Sequence, residues 1–358
     1  MITVQGQNYR LIGAEEHYVL PEYVEATRDI LLGAELHDLD LEDMRFFLHH
    51  PNGKPWHDPL LDLGEARLRQ MDEAGVDMQI LSLIPPGVQF FEPDRAVALA
   101  TMLNDRLAEI VRRHPTRFAG LAVVPPQAAA QGAKELERAI RKLGLHGLVI
   151  NSHTGGEYLD DPKFWPIFEA AEALDCAIYM HPRNPPKETR RLFESIEGQK
   201  ILVSGIFAFQ IETCLHALRL MVCGVFDRFP KLKIVLGHMG EGIPYWLYRL
   251  DYMYERGYRK QGTGLAKRLP SEYFRDNFFV TISGMNSHEL SPPTLEYCHN
   301  MVGSDRLLFA TDHPFQSMKD TADVLHKVSF SADALRKITH ANAESLFHIE
   351  PQKEAPLR

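Results

Sequence analysis

Cysteine is scarce in this sequence. Cys176, Cys214, Cys223 and Cys298 are scattered through 358 positions and form no Cys-x-x-Cys pair, which argues against a thiolate zinc site or a disulfide scaffold. Reduced, buried thiols are expected. No apolar run approaches the roughly 20 residues needed to cross a bilayer, and MITVQGQNYR at the start lacks a charged-then-apolar leader. A cytoplasmic protein with no membrane partner is the expectation. Clusters of basic residues are also missing: 39 Lys and Arg face 48 Asp and Glu, a formal net charge of −9. Such a surface is poorly suited to neutralising phosphates, so a nucleic-acid partner is not expected.

What is present is an ordinary globular composition, 45% hydrophobic and 24% charged, with enough apolar surface for a large core. The length suits one α/β barrel with insertions, so residues 1–350 are expected to form a single domain and 351–358 a flexible tail. Short aliphatic and β-branched runs alternate with helix-patterned segments along the whole chain. The runs are Tyr9–Ala14, Met78–Ile84, Phe118–Val124, Gly147–Asn151, Ala177–Met180, Lys233–Leu236, Phe278–Ser283 and Leu307–Ala310. Between them, Asp94–Arg113, Ala133–Leu143, Lys163–Leu174, Ile211–Phe226 and Pro244–Tyr254 carry apolar residues at helical spacing. Eight strands with interleaved helices predict a closed (β/α)8 TIM barrel. An open doubly wound sheet is the alternative, but no Gly-x-Gly-x-x-Gly turn follows the first run. The long mixed segment Pro21–Leu61, with His37, His49, His50 and His57, breaks the rhythm. It reads as an insertion after the first strand, over the barrel mouth or at a subunit contact.

In parallel barrels the C-terminal strand ends carry the chemistry, because the loops there converge on one cavity. The first strand runs into Glu15-Glu16-His17, the fifth into His181, the sixth into His238 and the eighth into Asp312. Residues i and i+2 of a strand share a face, so Glu15 and His17 can look into the barrel together while Glu16 looks away. A lone strand-end histidine is more often a packing residue than a ligand. Ligand-type residues at four strand ends are harder to explain by packing, and a nitrogen and oxygen donor set without thiolate suits one Mn²⁺ or Zn²⁺ ion.

Several motifs now point the same way: Glu15-Glu16-His17, DLGEARLRQMDEAGVD (Asp62 to Asp77), HPRNP (His181 to Pro185), GHMGEGIPYWLYR (Gly237 to Arg249) and TDHPF (Thr311 to Phe315). Together they resemble the nonoxidative aromatic acid decarboxylases of the amidohydrolase superfamily, the group of γ-resorcylate, 2,3-dihydroxybenzoate and 5-carboxyvanillate decarboxylases. The resemblance extends from about Leu11 to about Phe347. It implies one divalent metal, Mn²⁺ favoured and Zn²⁺ possible, liganded by Glu15, His17, His181 and Asp312, with Asp312, His238 and Glu241 as catalytic residues. It further implies that Arg249 reaches a neighbouring subunit's site in a homodimer or homotetramer. Arg67 would bind the substrate carboxylate, the alternative being a solvated helix residue. His313 stands where relatives carry an aromatic residue, so its imidazole would either help select the substrate or fill the space.

Hydrolytic members of the wider superfamily often begin with His-x-His and bridge two metals with a lysine carbamate. Here the first strand offers Glu-x-His and the fourth ends in Ile150-Asn151-Ser152-His153, without lysine. A metal-dependent hydrolase of a lactone, ester or amide is the alternative function. HPRNP resembles the resorcylate branch while INSHTGGEYLDDPKF resembles the carboxyvanillate branch, so the particular small aromatic acid stays open.

Overall fold

The computed structural model describes residues 1–351 apart from 34, 35, 37, 191, 192, 194–198, 263 and 287; His37 and all of the expected tail except Pro351 therefore lie outside the described residues. Eight parallel strands form the centre: β1 Ile12–Tyr18, β2 Met78–Leu83, β3 Phe118–Val123, β4 Gly147–Asn151, β5 Ile178–His181, β6 Ile234–Leu236, β7 Phe278–Thr281 and β8 Leu307–Leu308. Each pairs with its neighbour in chain order. Strand β8 returns to β1 through hydrogen bonds donated by Ala14 N–H to Phe309 O at 2.9 Å and by Asp312 N–H to Glu15 O at 2.9 Å. His17 N–H to His313 O at 2.7 Å completes the seam. The sheet is thus a (β/α)8 barrel, as the alternating pattern predicts.

The strands read as continuous apolar runs because both faces are covered, the inner by other strands and the outer by helices. Helix α5 (Pro93–Arg113), the longest of the outer layer, follows four shorter helices placed below. It shows the local logic: Pro93 opens the helix, Arg112 and Arg113 close it against the carboxyl-end dipole, and Ala96, Ala100, Leu103, Leu107 and Val111 form its buried stripe. Leu107 lies where a Cβ at Gly120 of β3 would stand, 2.8 Å from its Cδ2, so the glycine lets helix and strand approach. Burial of each such leucine contributes on the order of 2 kcal/mol.

Two boundaries differ from the pattern-based expectation. Tyr9 belongs not to the first barrel strand but to an antiparallel hairpin, Ile2–Val4 with Gln7–Tyr9, whose turn residues Gln5 and Gly6 both have positive φ. The barrel strand begins at Ile12 and carries Glu15 and His17 within it. The helix expected over Ile211–Phe226 is also interrupted. It starts at Ala208, ends at Val222, and Gly224 adopts φ 76° before a short turn over Val225–Arg228. Alternating apolar residues cannot distinguish a hairpin strand from a barrel strand, nor does helical spacing register one left-handed glycine.

The segment after β1 folds into α1 (Pro21–Leu32), α2 (Leu39–His49) and α3 (Lys54–Leu61), followed by α4 (Glu65–Ala74) leading to β2. Helix α2 is fastened to the loop after β5. Asp40 accepts from Arg183 Nε at 2.7 Å and from Asn184 N–H at 2.8 Å, and Asp43 accepts from Asn184 Nδ2 at 2.9 Å. Asp40 and Arg183 are both buried. Pairing and hydrogen bonding offset the cost of taking both charges from water. The clasp sets Met44 and Phe47 of α2 into the wall of the barrel's cavity.

Candidate metal centre

Glu15 and His17 lie two apart on β1, so both face the barrel interior, where they meet His181 at the end of β5 and Asp312 just beyond β8. All four are buried, and one donor atom from each lies within 4.8 Å of the others. His17 Nε2 stands 3.0 Å from Asp312 Oδ1, and His181 Nε2 3.6 Å from Glu15 Oε1. The imidazole rings of His17 and His181 meet edge to face at 4.7 Å.

Three of the four ligand-type side chains are oriented by a further contact. Thr281 Oγ1 donates to Glu15 Oε2 at 2.9 Å, and Ser283 Oγ donates to the same oxygen. His181 Nδ1 donates to Pro182 O at 2.7 Å, which leaves Nε2 as the lone-pair nitrogen facing the cluster. His17 Nδ1 faces Ser82 Oγ at 3.3 Å. Such outer contacts fix ring orientation and basicity in metal sites.

A divalent cation fits this arrangement. Glu15 Oε1 and His17 Nε2 are buried without a hydrogen-bond partner, a costly state for two polar atoms that the same cation would relieve. Burial, with the neighbouring His17, pushes His181 well below the usual histidine range, so it presents a neutral ring. Burial would raise the Asp312 carboxyl, but His17 and His238 beside it hold it well below the usual range. Neutral imidazoles and ionised carboxylates are the forms a metal binds.

His238 and Glu241 sit in a segment after β6 with unusual backbone. His238, Met239 and Glu241 have φ of 44°, 59° and 53°, and Asp312 has φ 55°. Such conformations in non-glycine residues cost about 1–3 kcal/mol each and concentrate at functional sites. The turn brings His238 Nδ1 to 2.8 Å from Glu241 Oε1 and His238 Nε2 to 3.7 Å from both Glu15 Oε1 and Asp312 Oδ2. Burial disfavours the His238 imidazolium. Glu15 and Glu241 outweigh it and raise the group well above its ordinary value.

A cavity of about 1090 Å³ opens above the cluster, with His181, His238 and Asp312 at its floor. Its wall is largely apolar, including Met44, Phe47, Phe209, Met285, Leu290 and Phe315. Phe315 stands 5.6 Å from the His17 ring and 5.1 Å from Phe47, so aromatic faces flank the ligand-type residues. Among the described residues that line it there is no Lys or Arg. An anionic substrate would find its positive charge in a bound cation.

The three residues expected to bind substrate are placed elsewhere. Arg67 is buried and does not line the cavity; its Nε donates to Gln79 Oε1 at 2.7 Å and its Nη1 to His17 O at 2.8 Å, beneath the cluster. It is not on a solvated helix face. His313 follows Asp312 but does not line the cavity, and its backbone N–H donates to Glu16 Oε2 at 3.3 Å. Arg249 is exposed on α9 (Ile243–Tyr254), away from this chain's own cavity; helices α6 (Ala129–Arg141), α7 (Trp165–Ala173) and α8 (Ala208–Val222) precede it in the outer layer. Thr281, Ser283 and Phe47 are contributions that sequence reading did not single out. The spacing of Thr281 and Ser283, two apart at the end of β7, was the available signal.

A parallel barrel with a buried Glu, His, His, Asp cluster at its catalytic end defines a metal-centred barrel enzyme. The chain belongs to the amidohydrolase family, whose description matches residues 23–349. It is 40% identical over 298 residues to γ-resorcylate decarboxylase of Polaromonas sp. strain JS666, covering 81% of this chain and 89% of that one. It is similar to the crystal structure of 5-carboxyvanillate decarboxylase from Sphingomonas paucimobilis, with 40% identity, TM-score 0.89, and coverage of 96% and 100% of the two chains. The 5-carboxyvanillate decarboxylase of Novosphingobium aromaticivorans, complexed with manganese and 4-hydroxy-3-methoxy-5-nitrobenzoic acid, matches with 37% identity, TM-score 0.88, and coverage of 97% and 98%.

Proposed function

We propose that this protein is a metal-dependent nonoxidative decarboxylase, a carboxy-lyase that releases CO2 from an ortho-hydroxylated aromatic carboxylic acid and leaves a phenol. The observation that carries this reading is the convergence of Glu15, His17, His181 and Asp312 beneath an apolar cavity in a chain so similar to aromatic acid decarboxylases. We take the cation to be manganese, as in the complexed relative, with zinc as the other candidate. When bound, it supplies Lewis acidity at the carboxylate and ortho-hydroxyl oxygens of the substrate.

Direct loss of CO2 would strand an electron pair in an sp² orbital outside the ring's π system. Protonation of the carboxylate-bearing carbon removes that difficulty. In this reading Asp312 delivers the proton to that carbon, the bond to the carboxylate breaks, and its electron pair returns to the ring as aromaticity is restored. Asp312 is held ionised between His17 and His238, so it must receive a proton for each turnover. His238 Nε2, 3.7 Å from Asp312 Oδ2, is the donor in reach; it regains its proton from solvent between turnovers, and Glu241 accepts from Nδ1 and stabilises its charged form. Phe47 and Phe315 hold the ring and exclude water.

The protein as a homodimer or homotetramer belongs to the same reading. Tyr245, Trp246, Tyr248 and Tyr252 of α9 are exposed around Arg249, an aromatic face of the kind that protein contacts cover. From there Arg249 would reach a partner's cavity and supply the cation that this chain's own wall lacks. A cytoplasmic location is supported by four free cysteines, and no described helix is long and apolar enough to cross a membrane.

The test is to incubate Mn²⁺-loaded protein with 2,6-dihydroxybenzoate and a set of other ortho-hydroxybenzoates, following ultraviolet spectra and CO2, with lactones and esters in parallel. CO2 release from one or more hydroxybenzoates is expected. Hydrolysis of lactones or esters without any CO2 release would replace the decarboxylase reading with the hydrolase one.

A further inference from the structure

Glu16 lies between the two ligand-type residues of β1 and points the other way, out of the cavity. Its carboxylate is fully buried and accepts from four donors. Thr311 N–H reaches Oε1 at 2.9 Å, while Thr311 Oγ1, Gln79 Nε2 and His313 N–H reach Oε2 at 2.6, 3.2 and 3.3 Å. Three of the four donors therefore come from the residues on either side of Asp312. Asp312 has φ 55°, in the left-handed region that L residues adopt singly and at a cost.

The cation facing Glu16 is Arg67, also buried, and the two are joined through Gln79, which donates to Glu16 and accepts from Arg67 Nε. Arg67 Nη1 in turn grips His17 O at 2.8 Å. The strand makes room for this arrangement. The pairing of β1 with β2 shifts register between Gly13 and Glu16, and a Cβ at Gly13 would collide with the Glu16 carboxylate. A buried Glu and Arg pair commonly only packs. Here one end of the network clamps both flanks of Asp312 and the other end clamps the backbone of His17, whose side chains face each other at 3.0 Å.

We infer that Glu16, with Gln79 and Arg67 behind it, is a positioning residue that sets the backbone of Thr311 to His313 against β1, so that Asp312 and His17 meet at one point. The inference rests on the proposed function only for the chemical role of Asp312; the geometry of the cluster can be read without turnover. Arg67 then acts on the site through the strand rather than through the substrate.

The test uses Glu16→Gln, which keeps the shape but sets an amide NH2 against N–H donors. With Mn²⁺ loaded, the electron paramagnetic resonance spectrum of the bound ion should change, and Mn²⁺ should bind more weakly, in a protein whose circular dichroism matches wild type. On whichever hydroxybenzoate the wild type turns over, kcat should fall about tenfold to a hundredfold with KM within about threefold, the signature of misplaced rather than missing groups. Thr311→Val should lose in the same direction and Thr311→Ser recover what it loses, which decides the matter even if Glu16→Gln does not fold. A wild-type spectrum, Mn²⁺ affinity and kcat in Glu16→Gln would overturn the inference, as would equal behaviour of Thr311→Val and Thr311→Ser. If the wild type turns over no hydroxybenzoate, the decarboxylase reading fails, while the spectra still judge Glu16.

Discussion

His238 Nδ1 lies 2.8 Å from Glu241 Oε1, three residues along the same left-handed turn, and this contact aims the opposite ring nitrogen at Asp312. The carboxylate of Glu241 favours the charged ring, so its removal lowers the His238 pKa. For Glu241→Gln we expect kcat to fall about tenfold to a hundredfold. The alkaline limb of the kcat profile should move to lower pH, because the proton is lost from His238 earlier. Measurement of kcat against pH checks this, and an unmoved alkaline limb would remove His238 as the proton source.

Glu15 accepts from Thr281 and Ser283 at one oxygen and leaves the other without a donor, facing the cluster. Glu15→Gln should reduce bound manganese after dialysis, as measured by elemental analysis. Thr281→Val, which removes an outer contact and leaves the ligand-type group, should weaken Mn²⁺ binding about tenfold. Full metal occupancy in Glu15→Gln would count against Glu15 as a ligand.

Asp312 carries two proposed duties, and substitution separates them. Asn keeps an oxygen at the cluster but has no acidic proton, so Asp312→Asn should retain measurable Mn²⁺ while kcat drops by about a hundredfold or more. Single-turnover measurements on the metal-loaded variant are the check. Turnover near wild type with metal retained would sink the proton-donor role.

His216 gives a stability prediction independent of the metal. Its Nε2 accepts from Leu159 N–H at 3.0 Å and its Nδ1 faces Ser152 Oγ at 2.9 Å, so protonation would break a buried hydrogen bond. Burial, aided by His153 and Arg219, lowers its pKa to about 3. Between about pH 3 and the ordinary 6.5 the unfolded chain binds the extra proton, and stability is lost as pH falls through that window. Nearby Glu212, raised to about 8 by burial, works in the opposite sense. The clean measurement is therefore a difference. The unfolding free energy of wild type relative to His216→Gln should change by about 1.4 kcal/mol per pH unit below pH 6.5 and level off above it. A difference independent of pH from 4 to 7 would show that the ring does not resist protonation.

The apolar runs and their spacing carried the barrel, because a strand covered on both faces must be apolar throughout and a covering helix must show its stripe. The ligand-type residues were legible for a related reason. Period-two alternation places Glu15 and His17 on one face, and the strand ends share one rim. The sequence by itself determined which residues the barrel brings to its mouth. Only the tertiary structure decided what lies behind them. Arg67 sits on α4 and reaches beneath β1, Glu16 on β1 holds the residues around Asp312, and Thr281 and Ser283 orient Glu15 from more than 260 positions away. Local period fixes the face on which a side chain emerges. The direction of its polar head depends on donors and acceptors supplied by strands and helices far away in the chain.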